Sequence, residues 1–246
     1  MRYPIVILFL ISTTISFAQP EIITIWPDQL TDIANKYGAD SYDLKSHYFQ
    51  YIYLIEKNVL LKEERELLRT IENDAVLAYK NGEISDIEKD QLILESLKLE
   101  NEINNITYDI SMAENEVKSI LNVNADIIPK TDSLEMYISF QLIELMQSQT
   151  NSLPDDSGLL AFLSKENGML ELSKYADNIS FQRESMLPYA NKIKKNAILK
   201  LKNEEIDKIN YYYMLSEVFL IRETWIDLIN TYNQKAIEIE KNYVEQ

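Results

Sequence analysis

Few residues of this chain could do chemistry, and most of those are carboxylates and phenols. His47 is the single histidine among 246 residues, and there is no cysteine. No carboxylate stands at the helical spacing from His47 that zinc or di-iron helix motifs use, so it reads as a half-exposed helix-surface residue rather than a ligand or base. The lack of cysteine removes disulfides, thiolate metal sites and cysteine nucleophiles together. A serine triad fails for want of a free histidine. Four glycines are too few for a phosphate loop, and no G-x-S-x-G occurs. Glu63-Glu64, Asp155-Asp156 and Glu204-Glu205 could hold a cation weakly, but runs of this kind are ordinarily solvated faces. Met112, Met136, Met146, Met169, Met186 and Met214 are scattered as core filler is. Tyr211-Tyr212-Tyr213 points in three directions on a helix, so at most part of it can be buried. These residue types furnish no catalytic, cofactor-binding or metal-ligating set, and no enzyme is expected.

The composition instead describes an exported rod. Arg2, the apolar run Ile5 to Ile11 and Ser16-Phe17-Ala18 before Gln19 form the charged start, hydrophobic middle and small-residue exit of a secretory signal over residues 1–18. That run is too short to span a bilayer, and no later stretch approaches the roughly 20 apolar residues required. The net charge of −16, from 40 acidic and 24 basic residues, repels nucleic acid. With 46% hydrophobic residues the chain can still bury a core. Four glycines and six prolines leave few breaks, which favours long helices over the turns of a sandwich or barrel.

Two stretches nearly repeat. Leu77-Ala78-Tyr79-Lys80-Asn81-Gly82-Glu83-Ile84-Ser85-Asp86-Ile87 returns 122 residues later as Leu199-Lys200-Leu201-Lys202-Asn203-Glu204-Glu205-Ile206-Asp207-Lys208-Ile209. Each is followed by a long run free of glycine and proline, so the unit is helix, tight polar turn, long helix. After a polar lead-in over 19–40, Ser41 is the expected N-cap of a helix from about Tyr42 to Lys80, with Leu54, Leu61, Leu68 and Ala75 seven apart and Ile71 and Ala78 between them. Tyr48-Phe49-Gln50-Tyr51-Ile52-Tyr53 has residue types that favour strand, yet its place in the run makes it helix. Gly82 can end that helix in the left-handed conformation, and Ser85-x-x-Glu88 is a capping box for the next. The second arm carries the seam Leu99, Ile103, Ile106, Ile110, Ala113, Val117 and Ile120 and stops near Leu121-Asn122, closing a first hairpin over 41–122.

Residues 123–168 read as a connector: Thr131-Asp132-Ser133 caps a helix over Leu134 to Gln149, Leu153-Pro154 breaks it, and Asn167-Gly168 breaks a short following helix. The second unit, 169–246, starts with a helix from about Met169 that Pro188 ends or kinks. Glu204 replaces glycine at the second turn and tolerates the left-handed conformation poorly, which predicts a turn of different shape. Asp207 then opens a final helix with the seam Met214, Val218, Ile221, Trp225, Leu228 and Tyr232. The fold class is all-α: long antiparallel hairpins, internally duplicated, in a coiled-coil-like bundle.

The pattern Tyr79-x-x-Gly82 leading through Asp86-Ile87 and Leu94 into a heptad helix ending at Leu121-Asn122 resembles the periplasmic hairpin tip of TolC-type outer-membrane efflux proteins. The second copy, closing on Tyr232-Asn233-x-x-Ala236-Ile237-x-x-Glu240, is similar to the C-terminal helix of that family's heavy-metal (CzcC/CusC-like) branch. The resemblance covers about Leu67 to Pro129 and Met169 to Ile239. It implies residence in the periplasm or outer membrane of a Gram-negative bacterium, and a homo-oligomer, trimeric in the family. It also implies docking on a periplasmic adaptor and an inner-membrane pump that exports metal ions or small molecules, with no cofactor. This chain would be a shortened member, since nothing between Pro188 and Asn203 can supply barrel strands of about 9–11 residues. On that reading the docking residues are Tyr79, Gly82, Glu83 and Ile84 at the first tip and Asn203, Glu205 and Ile206 at the second. The other reading is a structural periplasmic coiled-coil interaction protein with no transport role.

Overall fold

The computed structural model describes residues 22–130, 134–138 and 159–244. The expected signal segment over 1–18, Met146 and Asp155-Asp156 lie outside them. The chain folds as all-α rods with one minimal sheet. The lead-in is more ordered than its polarity suggests: strand β1, Ile22–Ile25, is followed by a 3₁₀ turn and helix α1, Leu30–Tyr37. Gly38, at φ 69°, ends α1 in the left-handed conformation, and Ala39 N–H returns to the Ala34 carbonyl at 2.9 Å. The next helix, α2, spans Ser41–Lys80, and its cap is Asp40 rather than Ser41. The Asp40 carboxylate accepts from the Tyr42 and Asp43 amides at 2.8 Å each, which an anionic side chain at a helix start does better than a hydroxyl one residue later.

At about 1.5 Å per residue the 40 residues of α2 make a rod near 60 Å long. Leu54, Leu61, Leu68, Ile71, Ala75 and Ala78 are all buried, as the seven-residue spacing predicts. The aromatic cluster is helical, and its side chains find the sheet. Tyr48 Oη donates to the Ile25 carbonyl at 2.8 Å, and Tyr51 Oη to the Ile127 carbonyl at 3.4 Å. Strand-favouring residue types therefore serve here as long anchors on a helix.

Helix α3, Asp86–Leu121, starts at the Ser85–Glu88 capping box and ends at Asn122, which takes φ 52° as a left-handed cap. Ile106, Ala113 and Val117 of its seam are buried against α2, with Leu99, Ile103, Ile110 and Ile120 half-buried beside them. Strand β2, Asp126–Pro129, follows and pairs in parallel with β1, Ile22 opposite Asp126 and Ile25 opposite Pro129. Glu114 and Lys118 tie α3 to β2 through the Ile127 amide and the Asp126 carboxylate.

Two connector expectations are corrected. Leu134–Ile138 is not the start of a helix but an irregular segment held against the last helix; the rest of that expected helix lies outside the described residues. Gly168 does not break a helix, because α4, Leu159–Phe181, passes straight through it. A Cβ on Gly168 would lie 3.4 Å from the Ile239 side chain, so the glycine serves close approach between rods. A π-helical turn, Gln182–Met186, joins α4 to α5, Leu187–Lys202. Pro188 falls in the first turn of α5, directly after the π-helical turn, and does not end the rod.

The final helix, α6, covers Lys208–Val244. It runs antiparallel to α2 along a polar ladder: Lys208 with Asp74 at 2.8 Å, Arg222 with Glu63 at 2.5 Å, Glu223 with Lys57 at 2.8 Å, Asp227 with Tyr53 at 2.9 Å and Asn230 with Gln50 at 3.1 Å. Val218, Ile221 and Tyr232 of the expected seam are buried, yet so are Leu215, Phe219, Ile226, Ile229, Ala236 and Ile237. The single seam undercounts because α6 lies between α2 on one side and the α4–α5 rod on the other. The rods therefore follow one another in an open layer, α3, α2, α6, then α4–α5, with no substantial contact between the outermost two among the described residues. No described helix is long and apolar enough to cross a membrane.

Candidate functional site

The two tips are alike atom by atom. Asn81 N–H returns to the Leu77 carbonyl at 3.0 Å, Gly82 N–H to Tyr79 at 3.0 Å and Glu83 N–H to Ala78 at 2.8 Å. At the second tip Asn203 bonds Leu199 at 3.0 Å, Glu204 bonds Leu201 at 3.1 Å and Glu205 bonds Lys200 at 2.9 Å. A side-chain brace recurs as well, Asn81 Nδ2 donating to Glu83 Oε1 at 3.1 Å and Asn203 Nδ2 to Glu205 Oε1 at 3.0 Å. Ser85 caps through the Glu88 amide at 3.2 Å, and Asp207 caps through the Asn210 amide at 2.7 Å. The expected difference at Glu204 is overturned: this residue adopts φ 59°, close to the 75° of Gly82. Three backbone hydrogen bonds and the asparagine brace hold a conformation that an L side chain resists by about 1–2 kcal/mol.

One consequence is a pair of opposite mutational effects. Gly82→Ala should lower stability by about 1 kcal/mol, whereas Glu204→Gly should raise it by about 0.5 kcal/mol, the relief of strain outweighing the added freedom of the unfolded chain. Urea unfolding of the two variants checks the signs.

The tips sit side by side. Besides the Lys208–Asp74 pair, Ile209 and Tyr212 of α6 share a small core with Leu68, Ile71, Ala75 and Ala78 of α2 and Leu92 of α3. Of the docking residues expected at the tips, Tyr79, Gly82, Glu83, Asn203 and Glu205 are exposed. Ile84 and Ile206 are half-buried, Ile84 against the small core. Glu83 and Glu205 are engaged in the asparagine braces, which leaves the Tyr79 ring, under the Lys89 ammonium at 4.5 Å, as the largest docking side chain presented.

Beneath the tips three rods crowd their carboxylates. Glu64 of α2 has its carboxyl raised to about 7, by burial first and then by Glu223 of α6 and Glu95 and Glu102 of α3; a hydrogen bond with Tyr212 opposes the rise. Tyr212 is itself held well above the ordinary phenol range by burial and by Glu95 and Glu64. Of the acidic pairs, Glu63 is matched by Arg222, and Glu64 is the member turned inward. Among the described residues no group of three or more acidic or histidine side chains is arranged to hold a metal ion. His47 donates from Nδ1 to the Asp43 carbonyl at 2.8 Å and lies 3.9 Å from Glu116.

At the opposite end lies a site of which the sequence named two members, Asn233 and Glu240, without revealing their work. Asn233, at 0% exposure, accepts from the Tyr137 amide through Oδ1 at 2.6 Å and donates through Nδ2 to the Glu135 carbonyl at 2.9 Å. Its amide thus grips the backbone of 134–138 as a strand neighbour would. Glu240, seven residues on and on the same face, accepts from Tyr137 Oη at 2.5 Å and from the Lys45 ammonium at 3.4 Å. Phe49 packs edge-on against the Tyr137 ring at 5.5 Å. The Asn–Glu pair of the final helix is therefore a clamp joining α6, α2 and the connector. Lys45 and Tyr137 escaped notice in the sequence, and polar residues seven apart on an apolar face were the available signal.

An open groove of about 610 Å³ beside this clamp is lined by Tyr42, Ser46, Tyr175, Gln234, Lys235 and Lys241 among others. Its lysines are already matched, Lys235 to Glu171 and Glu238 at 3.2 Å each and Lys241 to Asp43 at 2.9 Å. With both lysines matched by its three carboxylates, the groove leaves no cation free to recruit an anion, and its lining holds no nucleophile–base arrangement. The chain matches no family model and no curated protein.

Proposed function

We propose that this chain is an exported, TolC-like helical component, shortened and without barrel strands, that docks through its paired tips on the helices of a periplasmic adaptor serving an inner-membrane efflux pump. What carries the reading is that both tips hold one backbone geometry although the second lacks the glycine that geometry favours. A strained turn persists where the surroundings over-determine it, and such strain gathers at recognition sites. Two matched turns at one end of a long antiparallel layer offer a helical-hairpin partner two equivalent seats. The exposed apolar residues flanking them, Leu77 and Tyr79 at the first and Ile198 and Leu199 at the second, suit packing against another helix. The efflux role itself rests on the resemblance of the tips and of the final helix.

The native chain contains no cysteine, so a single one is unambiguous. Glu83→Cys and Glu204→Cys variants, treated in intact cells with a short bifunctional cross-linker, should each capture a periplasmic protein with a helical hairpin, identified by mass spectrometry. A cysteine at Asp109, midway along α3, should not capture it. No adduct at either tip would contradict the docking role and favour a structural coiled-coil protein.

A further inference from the structure

Charge is sorted across the layer. Helix α3, at one edge, holds nine acidic residues against three lysines, a net charge of −6. Helix α5, at the other, holds five lysines, Lys192, Lys194, Lys195, Lys200 and Lys202, and no acid. All five are exposed, and none lies within salt-bridge distance of a carboxylate among the described residues. In a chain of net −16 this is a basic edge without an internal counterpart.

The lysines share their face with apolar side chains. Tyr189, Lys192, Lys195, Leu199 and Lys202 follow one another in steps of three and four, and Tyr189 and Leu199 are each 56% exposed. This stripe lies opposite Ala190, Ile193, Ala197 and Leu201, the buried and half-buried side on which α5 packs against α6. Phe181, 58% exposed, precedes the π-helical turn that leads into α5.

We propose that the α5 edge rests on an anionic lipid bilayer, its lysines among the phosphate-bearing headgroups and Tyr189 and Leu199 at the boundary with the acyl chains. The overall negative charge does not forbid this. Three rod spacings of about 8–10 Å separate α3 from α5, whereas exposed charges are screened over about 8 Å at physiological ionic strength. A bilayer against α5 therefore meets the basic edge, and the distant acids turn the layer edge-on. A cluster of five lysines beside exposed apolar groups suits an anionic headgroup layer, with the lysine stems lying along the apolar boundary. The geometry favours a plane. A small anion needs a concavity, but the outer face of α5 is convex and straight for about 24 Å. Duplex nucleic acid would engage the lysines and leave Tyr189 and Leu199 in water. Leu199 also flanks the second tip, yet Lys192 and Lys195 lie about two to three turns from it, so the inference goes beyond tip docking and holds whether or not an adaptor binds there.

Flotation of the chain lacking the expected signal segment 1–18, with vesicles about one-third phosphatidylglycerol in phosphatidylcholine, tests it. Binding is expected at about 50 mM salt, at least tenfold weaker at about 500 mM, and absent on pure phosphatidylcholine. Lys192→Glu/Lys195→Glu should lose at least tenfold in affinity with unchanged helical circular dichroism, because both residues are exposed. Lys36→Glu/Lys98→Glu makes the same change of net charge at exposed positions away from α5 and should stay within about twofold of wild type. An environment-sensitive dye on Tyr189→Cys should shift to the blue on the vesicles, and one on Tyr108→Cys, at the α3 edge, should not. Failure to float at low salt would overturn the inference, as would equal binding to pure phosphatidylcholine, indifference to Lys192→Glu/Lys195→Glu, or equal loss in both double variants. Binding to duplex DNA as tight as to the vesicles would also overturn it, by assigning the edge to polyanions in general. Loss of tip cross-linking leaves it standing, and failure to float leaves the tips' role untouched.

Discussion

Glu240→Ala is expected to lower the stability of the chain by about 3–5 kcal/mol, the largest single effect among its polar residues. Glu240 is 2% exposed and Lys45 is nearly as buried, so removing the carboxylate leaves an ammonium inside the protein with its charge unmatched. The Tyr137 hydroxyl loses its 2.5 Å acceptor at the same time. The cost belongs to the broken pair rather than to an intrinsic virtue of a buried charge. Lys45→Met/Tyr137→Phe/Glu240→Leu, which replaces the whole set with apolar groups of similar size, should therefore regain most of the loss. Urea unfolding followed by circular dichroism gives both numbers. A small effect of Glu240→Ala, within about 0.5 kcal/mol, would mean that the clamp does not close as described.

Stability should fall as pH rises through neutrality, and Glu64 should be the main reason. Its carboxyl is raised from the ordinary 4.5 to about 7 in the folded chain. The folded state therefore keeps a proton that the unfolded state has released. The contribution is fully present below about pH 4.5 and is lost as pH climbs through about 7. Partial exposure screens the effect to about 2 kcal/mol. Glu64→Gln, which keeps the shape of the protonated carboxyl without its charge, should flatten the profile between pH 5 and 8 and make the variant more stable than wild type at pH 8. Thermal unfolding at a series of pH values checks it, and an unchanged slope in the variant would assign the dependence elsewhere.

How much could be foreseen follows the range of the interactions. Heptad seams, the Gly82 turn, the Ser85 capping box and the stop at Asn122 depend on residues within a few positions of one another, and the rods were legible for that reason. Strands β1 and β2 were not, because four-residue strands paired across a hundred positions leave no periodic trace. Gly168 reads as a breaker until the rod that approaches it, with Ile239 at 3.4 Å, is known. The capping signal before Leu134 was local and was overruled by Asn233, which takes the backbone partners that a helix would have used. At the candidate site the tip residues were foreseeable by type. That Glu204 copies a glycine conformation was not, since propensity argues the other way and only the surrounding hydrogen bonds decide it.

The central claim is that two hairpins from one duplicated chain place matched turns together at the same end. Spin labels at Lys80→Cys and Lys202→Cys, the last helical residues before each turn, measure this directly by double electron–electron resonance. Neighbouring rods pack about 8–10 Å apart, so a single narrow distance within about 20–30 Å, label arms included, is expected. A distribution centred near or beyond about 60 Å, the length of one rod, would place the tips at opposite ends and contradict the account.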